Sequence, residues 1–192
     1  ACVPANLASV LYNRTDGGIV TLAVNTLGVL YIVENGNAVQ SLADLEGKTV
    51  SIGASGSGVY YNALDILAAY DLTEDDINAQ YQDFGASADA LQDGKIDAAF
   101  VVAGAPIVAI TTLATSKDTY LVSLDDEHIA KLQETSPYYS KYVIPADTYE
   151  GVPEATTVAV SAVIIARDDV SDADVYNIVS TIFENKDSLA HD

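Results

Sequence analysis

The sequence predicts a mixed α/β protein built on a mostly parallel sheet, and three observations predict it. Apolar, β-branched runs of strand length alternate along the chain with segments of helical periodicity. The run at 96–103, IDAAFVVA, is apolar almost throughout, as a strand covered on both faces must be. Two glycine-containing turns, at 53–58 and 103–106, each lead from a strand into a helix, the place where α/β sheets hold ligands.

The elements follow in order. Val3 and Pro4 lead into a helical run, VPANLASVLYN. The stretch 20–33, VTLAVNTLGVLYIV, is β-branched enough for two strands or one long strand bent at Gly28. A short helix from Ser41 stops at Gly47, and a strand at 48–52 follows, with Leu42, Leu45 and Val50 as core contacts. A helix is predicted from about Ser57 to Tyr70. Thr73, with Asp76 three positions on, marks a further capped turn. AQYQDF alternates like a strand. SADALQDG reads as a short helix closed by Gly94. After the strand at 96–103, the segment PIVAITTLATS is helical, with Pro106 in its first turn. TYLVSL is a strand, DEHIAKLQE a helix, and YYSKYVIP and 156–167 are strands. A closing amphipathic helix starts at the N-cap Ser171 and carries Val175, Ile178, Val179, Ile182 and Phe183 along one face.

Composition narrows the function. The 192 residues suffice for one domain or two small ones, and 49% apolar with 19% charged residues describes a core-forming chain. The 28 acidic residues against 8 Lys and Arg give a net charge of −20, which argues against nucleic acid or an anionic membrane surface as partner. The acidity reads as a solvated surface, with adaptation to high salt as one reading. Cys2 is the only cysteine, so an intrachain disulfide and a thiolate metal cluster are excluded. Its position after Ala1 and directly before a helical run predicts a buried thiol rather than a lipidated terminus. The chain has no apolar stretch of about 18 residues.

Catalytic signatures are thin. His128 falls on a predicted surface helix beside Asp125, Asp126 and Glu127, and His191 lies near the C-terminus. Neither has a nucleophile close in sequence, metal-ligand spacing is missing, and no cofactor motif is present. The turn GASGSG lacks the Lys of a P-loop and the spacing of a dinucleotide fingerprint. Acidic groups such as Glu74-Asp75-Asp76 and Asp168-Asp169 read as solvated helix starts. Lys95 reads as solvated, and Arg14 and Arg167 as partners of surface acids.

The glycine-serine turn carries chemistry of another kind. Its glycines permit close backbone approach, its serines offer hydroxyls, and the following helix presents unpaired N–H groups with a partial positive charge. Ser55, Gly56, Ser57 and Gly58 would form an anion cradle without a basic side chain. Tyr60, one turn into that helix, lines a cleft or simply packs. Gly104, Ala105 and Pro106 form the second candidate loop. A plain glycine turn that holds nothing is the competing reading.

Three stretches, SLADLEGKTVSIGASGSGVYYNALDILAAYDLTEDDI, ALQDGKIDAAFVVAGAP and the segment from YYSKYVIPADTYEGVPEATTV to the C-terminal helix, resemble the TAXI solute receptors of TRAP transporters over about residues 41–190. The D-L-x-G-K, G-x-x-G-S-G, D-G-x-I-D-A-A-F-x-x-A-G-x-P and I-P-x-x-x-Y patterns carry that resemblance. The segments VPANLASVLYN and LAVNTLGVLYIVENGNAVQSLADLEGK look more like the NMT1-like receptors of ABC importers for nitrogen and sulfur compounds. Both resemblances imply the type II periplasmic-binding-protein fold.

They also imply a non-enzymatic extracytoplasmic receptor, periplasmic where a periplasm exists, that hands a ligand to membrane transporter subunits. TAXI similarity implies a small carboxylate such as glutamate. Relative to both families the chain starts inside the first lobe. The expectation is an incomplete lobe from 1–35 and 157–192, a complete lobe from 36–156, and hinge strands near 31–35 and 155–160. A ligand would bridge the lobes, with 104–106 facing the cradle and Asn6, Asn25 and Thr26 offering polar contacts from the incomplete lobe. An incomplete lobe predicts weak or absent ligand binding and self-association through an exposed sheet edge and apolar face.

Overall fold

The structure is a computed structural model and describes residues 1–16, 18–35 and 39–185. Two compact units emerge, one formed by residues 1–26 with 161–192 and the other by 27–160. The long strands β2 (Ile19–Asn35) and β8 (Ala155–Arg167) each run through a boundary.

In the smaller unit, β1 (Cys2–Pro4) pairs antiparallel with β8 in the register Val3 to Val163. Helix α1 (Ala5–Arg14) follows directly and buries Asn6, Leu7 and Ala8. Ala8 packs with Val163 and Ile165. Cys2 is exposed, contrary to the buried thiol expected, because it stands at the outer end of β1, where cover begins only at Val3. Helix α6 (Asp172–Glu184) begins at Ser171, whose hydroxyl accepts from the Asp174 amide. None of its residues is buried; Val175, Val179 and Ile182 are half-covered, whereas Ile178 and Phe183 stand exposed. The final turns expected for this helix and His191 lie outside the described residues.

The larger unit is a sheet with strand order β8-β2-β5-β3-β4. Strands β3 (Thr49–Ser51), β4 (Asn78–Gln80) and β5 (Ala98–Ala103) are parallel, with Val50 opposite Ala79 on one side and Ala98 on the other. Strand β5 turns antiparallel to β2, Ile32 facing Phe100. Strand β6 (Thr119–Val122) also pairs with β2, and β7 (Tyr139–Ile144) with β8. The apolar run of β5 is covered as its sequence requires: Ala98, Ala99, Phe100 and Val101 are all buried.

Helices α2 (Gly58–Ala69), α3 (Phe84–Gln92), α4 (Val108–Ser116) and α5 (Asp126–Thr135) complete this unit. Local signals fix most of their starts. Ser57, Asp83 and Asp125 each accept from the amide three residues on. Thr73 and Asp76 form the reciprocal box the sequence predicts, around a 3-10 turn at Glu74–Asp76. Ser41 and Asp44 do the same before the 3-10 turn Leu42–Leu45. Two expectations are corrected. Helix α3 starts three residues early because Asp83 caps it, so the strand read from AQYQDF ends at Gln80. Helix α4 starts at Val108, with Ile107 as N-cap, so Pro106 lies ahead of the first turn, in a cis bond with Ala105.

Candidate functional site

Three loops leave the carboxyl ends of the parallel strands: 53–57 after β3, 81–83 after β4, and 104–107 after β5. Because β3 and β5 are neighbours running the same way, the two candidate loops emerge on the same side of one unit.

The first loop is shaped by Gly53, whose φ of +83° is left-handed. A Cβ here would stand 2.6 Å from Val59 Cβ and 3.1 Å from Ser57 Oγ, so the loop folds directly onto the start of α2. Gly56 is also left-handed, at φ +75°, but faces open space. Ser55 and Gly56 are exposed, and Ser57 and Gly58 half-buried.

The donors divide into two sets. The Ser57 amide closes the turn onto the Ala54 carbonyl at 2.9 Å. The Tyr60 amide donates to Ser57 Oγ at 3.2 Å, and the Tyr61 amide to the Ser57 carbonyl at 3.3 Å. The first two amides of α2, those of Gly58 and Val59, have no acceptor among the described residues. Ser57 Oγ still has its own hydrogen to give. The arrangement therefore offers the two N–H groups at the head of α2, two serine hydroxyls and the positive end of a 12-residue helix.

The second loop is less open than its sequence suggests. The Ile107 amide donates to Tyr149 Oη at 3.1 Å, and that tyrosine is wholly buried. Val108, at the head of α4, has no side-chain cap above it and is 83% exposed. Gly104 and Pro106 are exposed, and Ala105 is half-buried against the core.

Tyr60 is not a free cleft residue. Its hydroxyl donates to Glu74 Oε2 at 2.9 Å, and Tyr81 donates to the other oxygen of the same carboxylate. The rings of Tyr60 and Tyr61 meet edge-on at 5.4 Å, and that of Tyr81 lies 6.2 Å from Tyr60. Hydrogen bonding to Glu74, with burial second, raises both phenols above their usual range. Glu74, expected to be merely solvated, thus orders an aromatic cluster beside the glycine turn. No sequence signal joins these three positions, since the contact is made by folding the 3-10 turn back along α2.

The remaining predicted residues belong to the smaller unit. Asn6 is buried in α1. Asn25 and Thr26 fall within β2, and their side chains lie outside what the structure describes. Among the described residues no cluster of His, Cys, Asp and Glu could hold a metal ion. His128 stacks on Tyr70 at 3.7 Å and contacts Asp125 through Nδ1 at 2.7 Å. Arg167 pairs with Asp169, and Lys95 with Asp93 at 2.7 Å. No described helix is long and apolar enough to cross a membrane.

Comparison with known families then decides the lineage. The model of the NMT1-like family matches residues 17–191. The chain belongs to the NMT1-like family. Its fold is similar to that of SsuA from Methylobacillus flagellatus KT, the periplasmic sulfonate-binding protein of a sulfonate ABC transporter, at 16% identity and a TM-score of 0.51. That match covers 96% of this chain and 43% of SsuA. It is also similar to Tv2483, solved with L-arginine bound, at 13% identity and a TM-score of 0.52, covering 91% of this chain and 57% of that one.

The chain is thus of type II periplasmic-binding-protein fold and spans less than half of the SsuA chain. The family match falls on the NMT1-like side of the two sequence resemblances, and nothing in it supports the TAXI assignment.

Proposed function

We propose that this NMT1-like chain is an extracytoplasmic solute-binding receptor of an ABC importer and takes a small compound with an anionic head group, a sulfonate or carboxylate. The observation that carries the proposal is the pair of uncommitted amides, Gly58 and Val59, at the head of α2 behind a turn of exposed serines and glycines. The aromatic cluster of Tyr60, Tyr61 and Tyr81 beside that turn favours the ABC-importer reading over a TRAP receptor for a plain dicarboxylate. Ligands with an apolar or cationic body behind the anion suit such rings. The SsuA and Tv2483 matches support the class of receptor, and the ligands in their names supply the first compounds to try.

Energetics set a limit on what the turn does alone. A helix terminus contributes up to about 2 kcal/mol in a partly buried site. Each hydrogen bond to a charged group adds roughly 1.5–3 kcal/mol. Micromolar binding needs about 8 kcal/mol, so two amides and one or two hydroxyls reach that range only with little offsetting cost. The net charge of −20 opposes anion approach at long range, so capture should quicken with added salt.

The test is a calorimetric titration of ethanesulfonate, taurine and glutamate into the parent chain and Ser57→Asp. Aspartate still caps α2, but its carboxylate occupies the field that the ligand anion would use. Binding by the parent and at least a tenfold loss in Ser57→Asp, with an unchanged melting temperature, supports the proposal. Equal affinity in both proteins refutes it.

A further inference from the structure

Asn62 lies in the second turn of α2, on the side that carries Ala63, Ile66 and Leu67 into the core, and it is wholly buried. A carboxamide is costly to bury, and asparagine is a poor helix former, so packing alone does not account for it. Its Nδ2 donates to the Gly58 carbonyl, one turn back, at 2.6 Å. A carbonyl only accepts, so this end of the amide is the NH2 and Oδ1 points the other way. There the buried Tyr139 of β7 brings its Oη to 2.7 Å, and the same phenol serves Asp65 Oδ2 at 2.8 Å. Asn62 is thus held at both ends, by the core strand β7 and by the head of α2.

The carbonyl it holds belongs to the same peptide group as one of the two open amides. Gly58 C=O and Val59 N–H share one plane and point in opposite directions. At a helix head the N–H side of that plane faces outward, unpaired. Fixing the oxygen therefore fixes the aim of the N–H. Donation to the oxygen also polarises the peptide, and hydrogen bonds in a chain strengthen one another by roughly 10–30% each.

The other open amide is placed differently. Gly58 N–H shares its peptide with the Ser57 carbonyl, which takes a longer backbone bond from Tyr61, at 3.3 Å. Val59 is fixed from a second side as well, because its side chain fills the space beside Gly53.

We infer that Asn62 is the positioning residue of the cradle: its carboxamide, anchored to β7 at Tyr139, sets the Gly58–Val59 peptide so that the Val59 N–H is the principal donor to the ligand anion. The inference rests on the receptor reading above and adds the group that aims the donor.

Helix chemistry supplies a matched pair of variants. Threonine in a helix returns its hydroxyl to the carbonyl four residues back. Thr111 does so in α4, where its Oγ1 donates to the Ile107 carbonyl at 3.0 Å. Asn62→Thr therefore keeps a donor on Gly58, whereas Asn62→Val has the same shape and no donor. Both lose the contact with Tyr139, so that loss does not distinguish them.

The experiment is calorimetric titration of ethanesulfonate, taurine and glutamate into the parent, Asn62→Thr and Asn62→Val, with 1H–15N spectra of the parent along each titration. Asn62→Val should bind more weakly than Asn62→Thr by about threefold or more. In the parent, the Asn62 side-chain NH2 resonances should move and saturate together with the Val59 amide, a response that a purely structural asparagine would not give. Equal affinities in the two variants, or NH2 resonances that stay in place while the Val59 amide saturates, overturn the inference and leave the cradle standing. Absence of saturable binding to the parent overturns the cradle and this inference with it. If Asn62→Val does not fold, the spectra of the parent decide alone.

Discussion

Substituting the two left-handed glycines of the cradle turn separates backbone strain from crowding. Gly53 and Gly56 have nearly equal φ, +83° and +75°. Alanine at either position therefore meets the same left-handed penalty, about 1–2 kcal/mol. Only Gly53 adds a steric conflict, since its Cβ would lie 2.6 Å from Val59 Cβ, an atom fixed to the helix backbone. Relieving that overlap means moving the head of α2, and overpacking of this kind costs roughly 1–3 kcal/mol more. Gly53→Ala should thus destabilise by about 2–5 kcal/mol and Gly56→Ala by about 1–2. For a chain of this size 1 kcal/mol moves the melting temperature by roughly 2–4 °C. The pair should therefore be resolved by calorimetric or circular-dichroism melts of both variants beside the parent. Equal melting temperatures for the two variants would refute the reasoning, because then the contact between Gly53 and Val59 is not made.

Further predictions rest on single contacts. Ser57→Ala removes the side-chain acceptor of the Tyr60 amide and should lower stability by about 1 kcal/mol in a denaturant titration. Tyr149→Phe strands the Ile107 amide and should cost about 1–3 kcal/mol, readable in the same titration. Burial pushes the Asp125 carboxyl up, but hydrogen bonds from the His128 amide, the His128 ring and Tyr70 outweigh it and bring it down to about 2. Its contribution is present above the unfolded value near 3.9 and is lost as pH falls towards 2. Asp125→Asn should therefore be less stable than the parent at pH 7, with the difference vanishing in melts between pH 4 and pH 2. Added sodium chloride should raise the melting temperature of the parent, since a net charge of −20 repels itself.

What was legible in the sequence was local. Ser57 before a helical run, Thr73 with Asp76, Ser171 before the last helix and the unbroken apolar run of β5 each carry their signal within a few residues, and each is realised. The α/β class followed from these, and the NMT1-like segments pointed to the family. Two local signals misled. Asp83 captured the start of α3 from an alternating stretch, and α4 begins beyond Pro106, at Val108, where the Ile107 amide is held by the distant Tyr149 and not by a local cap.

The contacts that shape the candidate site were not legible, because they join distant positions. Tyr149 caps the second loop from 42 residues away, and Tyr139 reaches Asn62 across 77. Glu74 gathers Tyr60 and Tyr81 only once its 3-10 turn lies along α2. Even within the turn, the sequence named Ser55, Gly56, Ser57 and Gly58 equally, whereas folding commits the Ser57 amide to Ala54 and leaves open the amide of Gly58 and that of Val59, which the sequence did not name.

The most direct measurement is a 1H–15N titration of the labelled chain with ethanesulfonate and with glutamate. If the head of α2 grips an anion, the Gly58 and Val59 amide resonances move downfield and saturate together with at least one of the two compounds, while the Ile107 amide, already bonded to Tyr149, stays in place. Saturable binding by calorimetry in which Gly58 and Val59 do not shift would show the ligand held elsewhere and contradict the cradle.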